Sequence, residues 1–421
     1  MRIVLRAMKT MTAPWTTSLA QLLGAANVIT DDATLEANHA QGVKPACLCA
    51  PVNAAEIAAV LRFAADNKIP VLPRGGGTAQ GIGVPPPAGA LVLSTKRMNR
   101  LIHHEPGDMV ATAEAGMTLG EFQNALAQNG QWLPLDGDPQ ATLGGLVATD
   151  RSGPRALGYG TLRDMVLGMS VVNGDGVARK CGGKVVKNVT GYDLAKLYIG
   201  SLGTLGVVTE VTFKLRPLAI DRRGWSIQGI DISGGVACLA KIAALNLPLE
   251  QLDAYIVPKE SKTNVGAMAA GTPAELDRIT CDLTTIAETY SKSPVPSEVG
   301  KSWNDGMQSL SGIAAFSAGF QIRIWFPRSR AADAVKILSD YAAGIWLNSD
   351  NALATFARSP ETAATLAAIL AKSGFNYRFE NAQGLHVAEP FGPARPEWSL
   401  MKQIRHALDP HGILNPGRFV V

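Results

Sequence analysis

A run of glycines near residue 75 constrains the fold of this chain more than any other feature. The glycines at 75–77 follow the apolar stretch 69–72 and come shortly before three prolines at 85–87. Glycine lets the backbone adopt positive φ and approach a ligand with no Cβ in the way, and successive N–H groups in such a turn can converge on one anion. The segment therefore predicts a strand ending in an anion-binding loop, and the prolines forbid a helix directly after it.

The loop alone does not identify its ligand. No Gly-Lys-Ser/Thr sequence closes it, which excludes a Walker A loop, and the third glycine position of a Rossmann fingerprint falls on Gln80. A flexible turn without a ligand is an equally good interpretation of this segment by itself.

Two further glycine-rich stretches occur downstream, at 142–145 and 200–206, each beside a predicted strand. A ligand contacted by backbone at three places must be extended, which favours a dinucleotide held between two lobes over a single phosphate. Tight turns without a ligand remain the alternative.

Composition limits the remaining possibilities. A chain of 421 residues predicts two or three domains, and 47% apolar with 18% charged residues is typical of a globular protein. A net charge of +4 without a long basic run argues against nucleic-acid binding. The five cysteines are scattered, which favours reduced thiols and a cytoplasmic location. No apolar run is long enough for a transmembrane segment.

Local patterns predict the main helices and strands. Capping boxes at Asn53 and Thr118 begin helices that end near Asn67 and Gly130. Alternation or turn chemistry predicts strands at 91–94, 109–114 and 207–215 and a hairpin over 166–180. Beyond Pro217 strands and helices alternate, with a strand at 321–326, a helix at 359–374 and a final helix at 398–408.

Six motifs in fixed order carry a family resemblance. The chain resembles the FAD-linked oxidases of the vanillyl-alcohol oxidase (p-cresol methylhydroxylase, PCMH) type and, among them, the FAD-binding E subunits of glycolate oxidases. The motifs are Pro-Arg-Gly-Gly-Gly-Thr at 73–78, Thr-Leu-Gly-Gly at 142–145, Tyr-Gly-x-x-Arg-Asp at 159–164, Lys-Asn-x-x-Gly-Tyr-Asp-Leu at 187–194, Gly-Ser-x-Gly-Thr-Leu-Gly at 200–206 and Asn-Pro-Gly-Arg at 415–418.

The resemblance implies an α+β fold with a two-lobed FAD-binding domain of the PCMH type, an α/β cap domain and a C-terminal segment that returns to the FAD domain. The expected division is an N-terminal extension at 1–44, the FAD domain at 45–217 with lobes at about 45–105 and 106–217, a cap or subunit-interface domain at 218–385, and the C-terminal segment at 386–421.

The resemblance also implies the cofactor site. The first glycine loop would bind the FAD diphosphate through backbone N–H groups, and the later stretches would line the flavin and the middle of the cofactor. Arg163 and Asp164 are expected to form a supporting ion pair. The residues expected to bind FAD are Arg74, Gly75, Gly76, Gly77, Thr78, Thr142, Leu143, Gly144, Gly145, Ser152, Gly153, Tyr159, Gly160, Gly206, Val207 and Val208.

Two departures from the family pattern shape the remaining expectations. Relatives that attach FAD covalently use a histidine or a cysteine, where this chain has Gly77-Thr78 and Ala141-Thr142, so noncovalent FAD is expected. Relatives with a metal-assisted substrate site use paired histidines, whereas only His386 occurs in the corresponding region, so no metal is expected. Arg323 and Arg378 are candidates for binding a substrate carboxylate, with solvated surface charges as the alternative, and no catalytic base is identifiable.

Three functions fit these expectations. The first is an FAD subunit that oxidises a small 2-hydroxy acid of the glycolate or D-lactate class and passes electrons to a larger flavin subunit and an iron–sulfur subunit, with peripheral membrane association through those partners. The second is an FAD-carrying assembly or electron-transfer subunit without substrate chemistry. The third is a stand-alone FAD alcohol or sugar oxidase.

Overall fold

The computed structural model describes residues 13–184, 192–290, 319–382, 385 and 387–420. Within these residues the chain forms two lobes, each built on its own sheet, and a cap built on a third, larger sheet. The mixed helix-and-sheet fold expected from the sequence is confirmed.

The first lobe holds the strand that leads into the glycine loop. Its sheet has the order β1-β2-β4-β3. The strands β2, β4 and β3 are parallel, and α3 is the crossover from β2 to β3, the two strands that flank β4. Asn53 accepts a hydrogen bond from the Glu56 N–H (2.9 Å) at the start of α3, as predicted. The elements of this lobe are α1 (Thr16–Leu23), β1 (Val28–Ile29), α2 (Asp32–Ala37), β2 (Cys47–Cys49), α3 (Ala54–Asp66), β3 (Val71–Arg74) and β4 (Leu91–Ser94).

The second lobe is built on an antiparallel sheet of order β5-β6-β10-β8-β9. The predicted helix at Thr118 begins with its capping box, and the predicted hairpin is β8 and β9. The elements of this lobe are β5 (Leu101–Glu105), β6 (Val110–Glu114), α4 (Leu119–Ala127), β7 (Gln131–Trp132), α5 (Leu143–Thr149), α6 (Ala156–Tyr159), α7 (Leu162–Met165), β8 (Val166–Val172), β9 (Ala178–Gly182), α8 (Ala195–Tyr198), β10 (Val207–Lys214) and β11 (Arg216–Pro217).

Two of the expected boundaries differ from the structure. The segment assigned to an N-terminal extension contributes β1, which pairs with β2 in the first sheet. The segment assigned to the end of the first lobe contributes β5, which pairs with β6 in the second sheet. In both cases hydrogen bonding to a partner strand decides the membership, and a pattern within one segment does not identify that partner.

The cap is a seven-stranded sheet of order β12-β14-β13-β16-β17-β15-β18, and every pair in it is antiparallel. Buried side chains of α9–α12 and of the strands form one apolar core. The elements of the cap are β12 (Asp221–Ile230), α9 (Ile232–Ala244), β13 (Gln251–Val257), β14 (Lys262–Gly271), α10 (Pro273–Tyr290), β15 (Gly319–Trp325), α11 (Ala331–Ser339), β16 (Gly344–Leu347), β17 (Asn351–Ala357), α12 (Pro360–Lys372) and β18 (Asn376–Asn381).

The C-terminal segment returns to the first lobe, as expected. After the last helix, α13 (Trp398–Leu408), the Val71 N–H donates to the Ile413 carbonyl (2.8 Å) and the Asn415 N–H donates to the Val71 carbonyl (2.9 Å). These bonds extend the first sheet alongside β3, so the last residues of the chain lie beside the glycine loop.

Candidate functional site: a cavity between the lobes and the cap

A cavity of about 530 Å³ lies between the two lobes and the cap, within the range of roughly 300–1,000 Å³ that is usual for ligand and cofactor sites. Its walls come from the glycine loop, the segment 136–161, the turn at 202–208, the strands of the cap and the C-terminal segment. The three glycine-rich stretches of the sequence therefore meet at one space.

The glycine loop packs directly against the segment that precedes α5. A Cβ on Gly76 would lie 2.2 Å from the Gln140 carbonyl oxygen, and a Cβ on Gly75 would lie 1.8 Å from Thr142 Oγ1. Gly77 has a φ of 80°. Any side chain at 75 or 76 would separate the two loops, so these glycines bring the backbone of the loop to the edge of the cavity.

Most N–H groups of this loop have no acceptor in the described part of the protein. The Gly76 N–H donates to Thr142 Oγ1 (3.3 Å) and the Ile82 N–H donates to the Ala79 carbonyl (3.3 Å). The remaining N–H groups between residues 75 and 81 make no hydrogen bond to a described residue, and the loop is only half-buried. Consecutive free N–H groups in a glycine turn are suited to binding an anion.

Two arginines add positive charge at this end of the cavity. Arg418 is 6% exposed, and its guanidinium donates to the carbonyls of Gln80 (3.0 Å) and Val84 (3.2 Å). Burial, together with the charge of Arg74, lowers the pKa of Arg418 to about 10, and burial also lowers the pKa of Arg74. Neither arginine forms an ion pair with a described carboxylate. Two adjacent cations and a row of N–H groups that lack partners in the described part of the chain fit the diphosphate of a dinucleotide.

The cap end of the cavity carries a second charged group, the arginine cluster, defined as Arg151, Arg323, Arg378 and Glu380. Glu380 Oε1 accepts from Arg323 Nε at 2.9 Å and from an Arg378 terminal nitrogen at 2.7 Å. Arg151 lies 3.7 Å from Glu380 Oε2. Burial alone would raise the pKa of Glu380, but the arginines outweigh it and hold that pKa well below its usual range. Three arginines against one carboxylate give the cluster a formal charge of +2 on the wall of the cavity.

The cavity brings together most of the residues expected from the sequence. Lining it are Arg74, Gly75, Gly76, Gly77, Thr78, Thr142, Gly144, Gly145, Ser152, Gly153, Gly206, Val207, Val208, Arg323 and Arg378.

Three expected cofactor residues are placed elsewhere. Leu143 is fully buried in the core of the second lobe. The Tyr159 hydroxyl donates to Glu250 of the cap, and its ring packs edge-on against Trp132 at 5.5 Å. Gly160 has a φ of 87° and ends α6, so its role is conformational. Leu143 points from α5 into the core of its own lobe, whereas Tyr159 lies at the end of α6, which directs its side chain towards the cap.

The expected ion pair between Arg163 and Asp164 is wrong. Arg163 donates to the Lys196 carbonyl at 3.0 Å, and Asp164 accepts from the Thr161 N–H at 2.8 Å, closing a capping box at the start of α7. Adjacent residues on a helix point in different directions, which separates the two side chains.

Sequence reasoning missed Arg151, Glu380, Trp346 and Arg418 as cavity residues. Arg418 lies within a recognised motif and Arg151 lies a few residues after another, so proximity to these motifs could have identified both as cavity residues. Glu380 and Trp346 come from separate cap strands, and nothing in their local sequence indicates that these strands face the cavity.

No histidine or cysteine is among the described residues that line the cavity. A search of the described ranges finds no group of three or more metal-ligating side chains, and no helix in those ranges is long and apolar enough to cross a membrane. Lys187, Asn188 and His386 lie outside the described residues.

Comparison with known families matches the chain twice. Residues 45–182 match the FAD binding domain family, and residues 391–419 match the C-terminal domain of FAD linked oxidases. Both matches fall on segments that line the cavity or flank it.

Relatives and a solved structure agree with this assignment. The chain is 38% identical over 200 residues to a D-lactate dehydrogenase of Archaeoglobus fulgidus, covering 47% of this chain and 45% of that one. It is 38% identical over 175 residues to the glycolate oxidase subunit GlcD of Bacillus subtilis, covering 41% and 37%. The matched segment thus spans less than half the length of either relative. The structure of p-cresol methylhydroxylase with bound substrate has the same fold, with a TM-score of 0.74 at 18% identity over 96% of this chain and 95% of that one.

The matches therefore give residues 45–182 an FAD binding domain and residues 391–419 the C-terminal domain of FAD linked oxidases, in a chain with the fold of p-cresol methylhydroxylase.

Proposed function

We propose that this protein binds FAD noncovalently and oxidises a small 2-hydroxy acid to the 2-oxo acid. The observation that carries the proposal is the charge pattern of one cavity. At one end, N–H groups and two arginines have no acceptor or carboxylate partner among the described residues, and an arginine cluster lies at the other end. A diphosphate fits the first end and a substrate carboxylate fits the second.

In this proposal the backbone N–H groups of the glycine loop, with Arg74 and Arg418, hold the diphosphate. The turn at 206–208 and the segment 144–153 line the rest of the cofactor. The absence of histidine and cysteine from the described cavity wall supports noncovalent attachment. Bound FAD supplies the acceptor for a hydride from the α-carbon of the substrate.

The substrate class rests on the cap end of the cavity and on the relatives. Arg323 and Arg378, whose side chains are largely buried on paired positions of β15 and β18, give that wall the positive charge that a carboxylate requires. The names of the matched relatives, a D-lactate dehydrogenase and a glycolate oxidase subunit, support glycolate or D-lactate as substrates. A larger flavin subunit and an iron–sulfur subunit as electron acceptors, a cytoplasmic location and peripheral membrane association belong to the same proposal.

A second candidate function is an FAD-carrying subunit whose partner performs the substrate chemistry. One observation favours it: none of the described cavity residues is a histidine that could remove the hydroxyl proton. The arginine cluster argues against it, because an electron-transfer subunit needs no buried anion site.

The experiment that tests the proposal is anaerobic reduction of the bound flavin. The purified chain is mixed with glycolate or D-lactate and its absorbance near 450 nm is followed; loss of the band in the isolated chain supports substrate oxidation. Loss only after co-purified partners are added supports the second candidate, and peroxide release on aeration would support a stand-alone oxidase. Acid precipitation that leaves all flavin in the supernatant tests noncovalent binding.

A further inference from the structure

We propose that Arg151 binds the carboxylate of the substrate and that Glu380 holds Arg323 and Arg378 in place around it. This proposal rests on the proposed function and deepens it, because it names the residue that selects an anionic substrate. Arg151 belongs to the second lobe, whereas the other three residues belong to the cap, so the substrate anion would lie at the junction of the two.

The hydrogen bonds of the arginine cluster separate Arg151 from its neighbours. Arg323 and Arg378 both donate to Glu380 Oε1, and Arg323 donates in addition to the Asn351 side-chain oxygen at 2.8 Å. Arg151 makes no hydrogen bond to any described residue, since its 3.7 Å separation from Glu380 Oε2 exceeds hydrogen-bond distance. Arg378 Nε is also without a partner among the described residues, but Arg151 is the member of the cluster that donates to none of them.

The position of Arg151 is costly for the protein alone. Its side chain is only 17% exposed, and burial lowers its pKa to about 10. A buried guanidinium without a hydrogen-bonded carboxylate loses more hydration than it regains. A planar fork with free N–H groups is the arrangement that binds a carboxylate through two parallel bonds.

A second unpartnered donor belongs to Trp346, another residue that lines the cavity. Trp346 lines the cavity and is 5% exposed, and its Nε1 has no hydrogen-bond partner in the described structure. The Arg323 guanidinium lies 5.6 Å from the Trp346 ring centroid. A buried polar atom without a partner is rare in native proteins. An anion bound beside Arg151 would bring a hydrogen-bond acceptor into the cavity that Trp346 lines.

The residues on both sides of Arg151 have defined local structure. Asp150 ends α5 in the left-handed conformation, with a φ of 47°, and Ser152 accepts from the Leu162 N–H at 3.0 Å on the other side. Arg151 thus sits between two anchored residues in the segment that the FAD binding domain match covers. The ligand it binds would lie beside the expected cofactor.

A structural role for Arg151 predicts the opposite stability effect. If Arg151 served to neutralise Glu380, its removal would destabilise the fold. In our proposal Glu380 keeps two hydrogen-bonded arginines after that removal, so the melting temperature should stay the same or rise while anion binding is lost.

The test measures binding of oxalate, a nonreactive analogue of a 2-hydroxy carboxylate, to the FAD-loaded protein by isothermal titration calorimetry. Arg151→Met should weaken oxalate binding roughly 10- to 100-fold, as expected for loss of hydrogen bonds between charged groups. Arg151→Lys should recover part of the affinity, because it restores the charge but not the fork. Arg358→Met is the matched control: Arg358 is exposed and lies outside the cavity, and its removal should leave oxalate binding unchanged.

Two results would overturn the proposal: unchanged oxalate affinity in Arg151→Met, or a loss of affinity accompanied by a lower melting temperature in both Arg151 variants. The flavin-reduction experiment and the oxalate titration can give opposite results, so failure of the proposed function can be told apart from failure of this inference. If neither glycolate nor D-lactate bleaches the flavin but oxalate binding still depends on Arg151, the anion site stands and the proposed substrates do not.

Discussion

At the scale of single residues, Gly76 is the position where the cavity depends most directly on the absence of a side chain. Gly76→Ala places a Cβ 2.2 Å from the Gln140 carbonyl oxygen, and backbone atoms cannot rotate away. We expect the glycine loop to shift at a cost of about 1–3 kcal/mol, with FAD affinity falling accordingly. The measurement is the flavin content of purified protein and its dissociation constant for FAD.

The control for this prediction is Gly107→Ala. Gly107 lies in the turn between β5 and β6, has no positive φ, and a Cβ there would meet its nearest neighbour at 3.7 Å. Its flavin content should match that of the unaltered protein. Equal FAD affinity in Gly76→Ala and Gly107→Ala would show that the loop does not contact the cofactor.

Single residues also show which positions on the cavity wall the sequence could indicate. Gly75, Gly76 and Gly77 were predictable because a glycine run reports a backbone requirement that is local. Glu380 was not, because its importance comes from Arg323, Arg378 and Arg151, which are distant in sequence and meet only in the folded protein. Tyr159 was misplaced because a motif fixes a local conformation without fixing which neighbour its side chain meets.

At the scale of elements, the N-terminus of α5 joins the two loops at the cavity. Thr142 Oγ1 accepts a hydrogen bond from the Gly145 N–H in the first turn of α5 and another from the Gly76 N–H in the glycine loop. Thr142→Ala should cost about 1 kcal/mol of stability through the lost N-cap and should also lower FAD affinity, because the glycine loop loses its anchor. Thr142→Ser, which keeps the hydroxyl, should retain most of both.

Ser359→Ala provides the comparison for Thr142→Ala. Ser359 caps α12 by accepting from the Thr362 N–H at 3.1 Å, far from the cavity. Thermal unfolding should show losses of similar size in both alanine variants, whereas titration with FAD should differ only for Thr142→Ala. If both variants kept full FAD affinity, the link between the cap of α5 and the cofactor would be wrong.

Helices with clear capping residues and apolar periodicity were predictable from the sequence. The helix at Asn53, the helix at Thr118 and the final helix α13 were placed to within a few residues, because caps and apolar periodicity act locally. The sheets were less predictable, since β5 could belong to either lobe until its pairing with β6 was known. The antiparallel order of the cap strands likewise depends on contacts between segments far apart in the chain.

At the scale of the whole molecule, the cap is tied to the second lobe by a polar interface. The Gly158 N–H donates to the Glu250 carbonyl at 3.3 Å, and Arg222 pairs with Glu250 at 2.6 Å while lying 4.8 Å from the Trp132 ring centroid. The proposed carboxylate site also spans this junction. The stability of this interface therefore determines how closely the position of Arg151 relative to Arg323 and Arg378 is fixed.

One buried carboxyl at this interface is predicted to weaken it at neutral pH. Asp253 is 2% exposed on β13, and its neighbours Leu252 and Ala254 face the cap core, so alternation turns Asp253 towards the second lobe. Burial and the nearby charge of Asp136 raise the pKa of Asp253 well above its ordinary value of 3.8. Between that ordinary value and the raised one, the folded protein binds a proton that the unfolded chain has released, so stability falls as pH rises through this window.

Asp253→Asn removes this titration while keeping the shape of the side chain and an amide that can donate as the protonated carboxyl does. Its melting temperature at pH 7 should exceed that of the unaltered protein, because the amide removes the cost of a raised pKa in the folded state, and the advantage should shrink as pH approaches 4. Asp277→Asn, at an exposed ion pair with Arg223, should change the melting temperature little at any pH. Scanning calorimetry from pH 4 to 8 makes the measurement; a constant loss of stability in Asp253→Asn across that range would mean that Asp253 is ionised and paired in the folded protein.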